Sequence, residues 1–182
     1  GWMYRNNDLS AAFARAQLTR LDAYLAQHKA NAARLTECLA EAPCLILPTE
    51  PAGRVHNWYN YTVRFDMEAL GHAADPAAFR DKLVKVLRAE GVETGVWQRF
   101  ILPAMTVFQA KNGYGRGCPW DCPHARPVEY LPERYPVAGK HADWHTGMTV
   151  PLRAPNGPHV AELTAAGICK VMTNIDQVEQ ME

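Results

Sequence analysis

An α+β fold, a small and mainly antiparallel sheet covered by helices, is predicted by three observations. Three segments repeat apolar residues at steps of three and four, the mark of a helix with one buried face. Between them lie short apolar pieces, one of which alternates with the period of two that a half-buried strand requires. The composition, 48% hydrophobic and 21% charged over 182 residues, suits one compact unit and excludes disorder. Helices and strands interleave without a regular βαβ rhythm, which favours segregated layers over a parallel sheet.

The first helix is expected to be long. Leu21, Leu25, His28, Ala32, Leu35 and Leu39 draw one stripe, and Leu9 and Phe13 extend it backwards. Asn7 or Asp8 caps its start and Pro43 ends it. Strand pieces follow at Leu45–Pro48 and Trp58–Phe65, the second carrying Tyr59, Tyr61, Val63 and Phe65 in alternation. The second helix opens at Asp75-Pro76, a cap residue before a first-turn proline, and buries Phe79, Leu83, Val86 and Leu87. Gly91 stops it. Val92–Gln98 and Met148–Leu152 are further strand candidates. Residues 103–136 are rich in proline and glycine and read as an ordered, irregular excursion. The third helix starts near Asn156-Gly157-Pro158 and buries Val160, Leu163, Ile168, Val171 and Ile175. Neither an internal repeat nor a flexible linker interrupts the series.

Charge narrows the partners. Nineteen basic residues balance nineteen acidic ones, so nucleic acid and anionic membrane surfaces are not favoured. Apolar runs are strand-sized, far short of the ~18–20 residues that span a bilayer. The opening Gly1-Trp2-Met3-Tyr4-Arg5 lacks a signal-peptide pattern, and a soluble cytoplasmic protein is expected. Five cysteines cannot all pair within the chain, which agrees with a reducing compartment. Cys38, Cys44 and Cys169 read as small core residues.

One constellation stands apart. Cys118-Pro119-Trp120-Asp121-Cys122 sets two thiols four positions apart, and His141 and His145 repeat that spacing downstream. An ordered thiol-bearing loop, with no metal site, is the expected reading; four zinc ligands from the two pairs and a local disulfide are the alternatives. The histidine pair lacks the adjacent glutamate of zinc proteases, which excludes that chemistry. Gly113-Tyr114-Gly115-Arg116-Gly117 lacks the Gly-Lys-Ser/Thr ending of a phosphate loop and reads as an exposed turn.

The opening run Gly1-Trp2-Met3-Tyr4-Arg5-Asn6-Asn7-Asp8-Leu9, followed by Ala11-Ala12, Ala16-Gln17-Leu18 and Arg20-Leu21-Asp22, resembles the DegT/StrS-type sugar aminotransferases. These are pyridoxal-phosphate enzymes of fold type I. Asn31-Ala32-Ala33 falls where the family tends to carry Arg-x-x-Asn-Ala. Residues His56–Phe65, Gly91-Val92-Glu93-Thr94, Tyr135-Pro136-Val137-Ala138 and Thr149-Val150-Pro151-Leu152 match later family segments in order.

The resemblance implies a C-terminal small domain over residues 1–182, without the large domain that supplies the cofactor lysine. Lys82, Lys85, Lys111, Lys140 and Lys170 read as solvated surface residues, so the chain alone is expected to be inactive. It also implies that Arg5, with Tyr4 and Asn6, touches the cofactor phosphate across a homodimer; a structural pairing of Arg5 with Asp8 or with a carbonyl is the alternative. Met3 stands where the family commonly has Asn. His56, Trp58, Tyr59, Trp97 and Gln98 are the implied substrate residues, with a core role as the alternative for Trp97. The family's His-Tyr pair is missing at Val96-Trp97-Gln98, which leaves room for a cyclitol or another small ketone besides a keto-sugar. The implied reaction moves an amino group from an amino acid to that ketone. A non-catalytic module or partner subunit is the competing class.

Overall fold

The computed structural model describes residues 4–114 and 117–181; Trp2 and Met3, part of the motif above, lie outside them. The order is α1 (Asp8–Leu18), α2 (Leu21–Leu39), β1 (Leu45–Ile46), β2 (Tyr61–Phe65), α3 (Pro76–Ala89), α4 (Thr106–Gln109), α5 (Pro136–Trp144), β3 (His145–Met148), α6 (Pro158–Thr173) and α7 (Ile175–Gln180). The expected α+β architecture is what forms. Its sheet runs β1-β2-β3, antiparallel throughout, with Leu45 opposite Phe65 and Arg64 opposite His145.

Alternation along β2 buries Tyr61, Val63 and Phe65 and leaves Thr62 and Arg64 half-buried. These three meet Leu35 and Leu39 of α2, Leu83 and Leu87 of α3, and Ile168 of α6 in one core cluster. The Tyr61 phenol, buried among them, shares a 2.7 Å hydrogen bond with Thr36 on α2 and so ties helix to sheet. Asn31, fully buried on α2, donates to the carbonyls of Leu152 and Asn156 and fixes the turn that leads into α6.

The predicted long helix is two. Asn7 caps α1 as expected, its Oδ1 accepting from the Ser10 amide at 2.8 Å. The helix then breaks at Thr19–Arg20, where the Arg20 amide turns back to the Gln17 carbonyl. Leu9 and Phe13 do not extend a buried stripe, because α1 buries nothing. The second helix keeps its predicted ends. Pro76 sits in its first turn and Gly91 leaves it with φ +84°, although Asp75 makes no side-chain cap.

On α6 the buried face is Ala161, Ala165, Ile168, Val171 and Met172, and Leu163 is exposed. Small residues let α6 lie close to α2, where Arg34 meets Glu162 at 2.7 Å and Cys169 approaches the Cys38 carbonyl. Ile175 starts α7 instead of ending α6. Two strand expectations also move. Val92–Gln98 is not a strand; it touches the sheet through a single bridge, Gly95 to Gly147. The last strand is His145–Met148, and residues 149–152 form a turn closed by the Leu152 amide on the Thr149 carbonyl. Among the described residues, no helix is long and apolar enough to cross a membrane.

Candidate functional site

The end of the sheet where β2 begins and β3 finishes carries the candidate site. Residues 92–98 cross it, anchored by Thr94: its buried hydroxyl bonds the Thr146 hydroxyl at 2.7 Å and the Gly147 carbonyl at 3.1 Å. Arg88 holds the same segment from α3, its Nε donating to the Thr94 carbonyl at 2.7 Å. The two segments bridge at Gly95 and Gly147, with the Arg88 guanidinium lying close over the bare Gly95 Cα. Past Gly95 the chain delivers Trp97 to the surface.

Two of the expected substrate residues meet there. Tyr59 and Trp97 pack edge to face, 5.8 Å between centroids, and both stay more than half exposed. An aromatic pair that packs together yet faces solvent offers an apolar plate to a ligand. Beside it Trp97, Arg88, Glu93, Thr149 and the backbone of Gly95 and Gly147 line a cavity of about 510 Å³.

His56 and Trp58 turn the other way. Their rings stack at 4.3 Å, His56 Nδ1 accepts from the Trp58 amide at 2.7 Å, and Trp58 stacks in turn on Tyr61. Trp58 is thus buried packing, held with φ +55°. Gln98 lies apart from both groups. It borders a cavity of about 880 Å³ walled by Phe100, Ile101, Tyr135 and Val137, with Arg64, Arg134 and His141 as its charged or titratable members.

Sequence reasoning gave no substrate-binding role to Arg64, Arg134 and His141 in that cavity or to Arg88, Glu93 and Thr149 in the other. Arg64 left a signal: a charged side chain on the polar phase of a buried alternating strand. His141 and His145, weighed as metal ligands, stack on each other with centroids 4.6 Å apart. They do not converge with Cys118 and Cys122, and among the described residues no three His, Cys, Asp or Glu side chains are placed to hold a metal ion. All five cysteines are free thiols, so Cys118 and Cys122 form no disulfide. Burial, then the neighbouring His145 and Arg64, holds the His141 imidazole below its ordinary pKa. Burial does the same for His145, with Arg80 adding to it against the opposing pull of backbone carbonyls.

Tyr4, Arg5 and Asn6 stand at the start of α1, all exposed, and border neither cavity. Asn6 Oδ1 accepts from the Asn7 amide at 2.9 Å. Among the described residues Arg5 enters no ion pair, so its pairing with Asp8 does not form.

Residues 1–128 match the model of the DegT/DnrJ/EryC1/StrS aminotransferase family. The fold resembles that of the aminotransferase TlmJ from Streptoalloteichus hindustanus (TM-score 0.64, 21% identity, 94% of this chain and 38% of that one). It also resembles an aminotransferase from Psychrobacter cryohalolentis (TM-score 0.65, 22% identity, 97% and 41%). DesV from S. venezuelae is similar as well (TM-score 0.61, 21% identity, 98% and 38%). The chain therefore spans about two fifths of the solved proteins it matches, and at these identities the likeness speaks for the fold.

Proposed function

The chain belongs to the DegT/DnrJ/EryC1/StrS aminotransferase family, and from that premise we propose that it is the C-terminal part of a pyridoxal-phosphate-dependent aminotransferase. The complete enzyme moves an amino group from an amino acid to a keto-sugar, a cyclitol ketone or a similar acceptor. The observation that carries this reading is the exposed Tyr59–Trp97 pair, which lies within the family-matched residues and whose Trp97 lines a cavity edged by polar groups.

The residues at the start of α1 fit a phosphate. Arg5 brings a planar guanidinium with no carboxylate partner among the described residues, and Tyr4 and Asn6 bring a phenol and an amide. All are exposed and line neither cavity, which supports service to the active site of a second copy in a homodimer. When bound, pyridoxal phosphate supplies the electron sink for amino transfer. This chain's own contributions are to hold the phosphate through Arg5, to seat the acceptor ring against Trp97 and Tyr59, and to read hydroxyls.

The chain alone is inactive in this reading. A nucleophilic lysine needs a desolvated amine, whereas Lys140 and Lys170 are engaged by Glu68 and Glu90 at the surface and Lys82 donates to the Glu179 carbonyl. The test joins this chain to a lysine-bearing large domain and follows the half-reaction by cofactor absorbance. Amino acids should convert the cofactor, and a keto-cyclitol or keto-sugar should convert it back. Silence towards every amino-acid donor would overturn the reading.

A further inference from the structure

We propose that the Asn60 side chain is a binding group of the cavity beside Trp97, taking a ring hydroxyl of a polyhydroxylated acceptor once the indole moves off Gly147. This rests on the reading that this end of the sheet faces the substrate. The starting point is an unpaired atom. Asn60 Oδ1 is shut off from solvent and has no hydrogen-bond partner among the described residues, while its Nδ2 donates to the Thr62 hydroxyl at 3.2 Å. Buried carbonyl oxygens are paired in the large majority of cases, so a solitary one calls for a cause.

Its surroundings supply one. A Cβ placed on Gly147 would sit 2.6–2.7 Å from the Asn60 amide and 2.8 Å from Trp97 Cδ1. Both side chains thus converge on one bare Cα, and only glycine admits them. Gly147 and Trp97 also line the 510 Å³ cavity, so the orphaned oxygen lies behind the cavity's own wall. Trp97 is 54% exposed, and its indole has solvent to move into.

The backbone leading to Asn60 is strained in the same place. Trp58, a bulky aromatic, holds φ +55°, where side chains other than glycine are rarely found. Two hydrogen bonds fix that turn: the Trp58 amide to His56 Nδ1, and the Tyr59 amide to Asn57 Oδ1 at 3.0 Å. The result sends Tyr59 outward to Trp97 and Asn60 inward to Gly147. Strain and an unmet acceptor therefore fall within three residues, and the acceptor lies against the cavity wall at Gly147.

The ligand class follows from the chemistry. An amide oxygen needs an O–H or N–H donor, and the Tyr59–Trp97 plate favours the C–H face of a saturated ring. A ring with hydroxyls on its edge and carbon on its face satisfies both, as a sugar or cyclitol does.

The experiment follows the Asn60 side-chain amide and the Trp97 indole N–H by ¹H–¹⁵N spectroscopy while myo-inositol is titrated into the chain. Asn60→Leu and Trp97→Phe assign the two signals, and cyclohexanol serves as the poorly hydroxylated control. Expected are saturable shifts of both signals with myo-inositol, and weaker binding by about three- to tenfold in Asn60→Leu. Asn60→Leu should melt no lower than wild type, since the variant removes an unpaired buried oxygen. Shifts at Trp97 without Asn60 would overturn the Asn60 assignment while leaving the substrate-facing reading intact; silence at both would overturn the two together. Should Asn60→Leu fail to fold, Asn60→Asp assigns the amide and the wild-type titration still decides.

Discussion

The imidazoles of His141 and His145 stack face to face, 4.6 Å between centroids and 5° from parallel, across the junction of α5 and β3. His145 Nδ1 donates to the His141 carbonyl at 2.8 Å. Around the pair stand Arg64 on β2 and Arg80 on α3, the latter bonded to the Ala142 carbonyl. The nearby carboxylate of Asp81 is committed to Arg80 and Arg99.

Both histidines have folded pKa values lowered below the ordinary one, first by burial. The unfolded chain therefore takes up protons first as pH falls, and the stability present above pH ~6.5 is lost progressively below it. The melting temperature should drop between pH 7.5 and 5.5, and His145→Gln should flatten that drop. Asp81 acts in a separate window. Burial raises its pKa, but hydrogen bonds from Arg99 and Arg80 outweigh this and hold it low, so its contribution fades only below pH ~4. A melting temperature unchanged from pH 7.5 to 5.5 would refute the histidine assignment.

Asn31→Ala removes the donor to the Leu152 and Asn156 carbonyls in the core. Leaving both without that partner should cost about 2–4 kcal/mol in urea unfolding. Asn31→Asp should be no better, because it loses the same donor and adds a buried charge.

Arg5→Ala in the complete enzyme should weaken cofactor affinity by roughly tenfold to a hundredfold, the equivalent of a lost charge-assisted contact of about 1.5–3 kcal/mol. Arg5→Lys should recover only part, since a point charge does not reproduce the guanidinium fork. Cofactor titration of the apo-enzyme, with the melt tracked alongside, is the measurement. A lower melting temperature at unchanged affinity would place Arg5 in the structure and not in the site.

Borohydride added to this chain with one equivalent of pyridoxal phosphate should give only scattered, substoichiometric labelling of surface lysines by mass spectrometry, with no imine absorbance beyond that of a simple amine. Stoichiometric labelling of one lysine here would overturn the view that the cofactor lysine belongs to the large domain.

Leu9, Phe13 and Leu18 are exposed along α1, together with Tyr4 before it. Under the proposed homodimer this run is a surface that the assembly covers. Sedimentation should show self-association that Phe13→Glu weakens, and a clean wild-type monomer at high concentration would count against it.

Local signals were the legible part. Asp75-Pro76 and Gly91 bracketed α3, Asn7 capped α1, and the alternation of β2 placed Tyr61, Val63 and Phe65 inside. What failed depended on neighbours. Val92–Gln98 has strand-forming residues, yet Arg88 takes up the Thr94 carbonyl, the Thr94 side chain instead of its backbone reaches β3, and only Gly95 pairs. Leu163 outranks Ala161 in hydrophobicity, but the closeness of α2 and α6 selects the smaller side chain. Spacing within Cys118–Cys122 and His141–His145 said nothing of the distance between the pairs. At the site, Tyr59 and Trp97 were named but their partnership was not. Asn60 was invisible, since its interest lies in a missing partner and a strained Trp58 that propensity argues against.

The break at Thr19–Arg20 has a consequence for cooperativity. With eleven residues and no buried side chain, α1 falls below the ~12–15 residues at which an isolated helix is even marginal in water. In the proposed homodimer its helical content is therefore set by the partner that covers Leu9 and Phe13, and not by the core that stabilises α2. Folding of this segment and assembly become one equilibrium, so far-ultraviolet ellipticity should deepen as protein concentration rises, while the sheet and α2, α3 and α6 stay as they are.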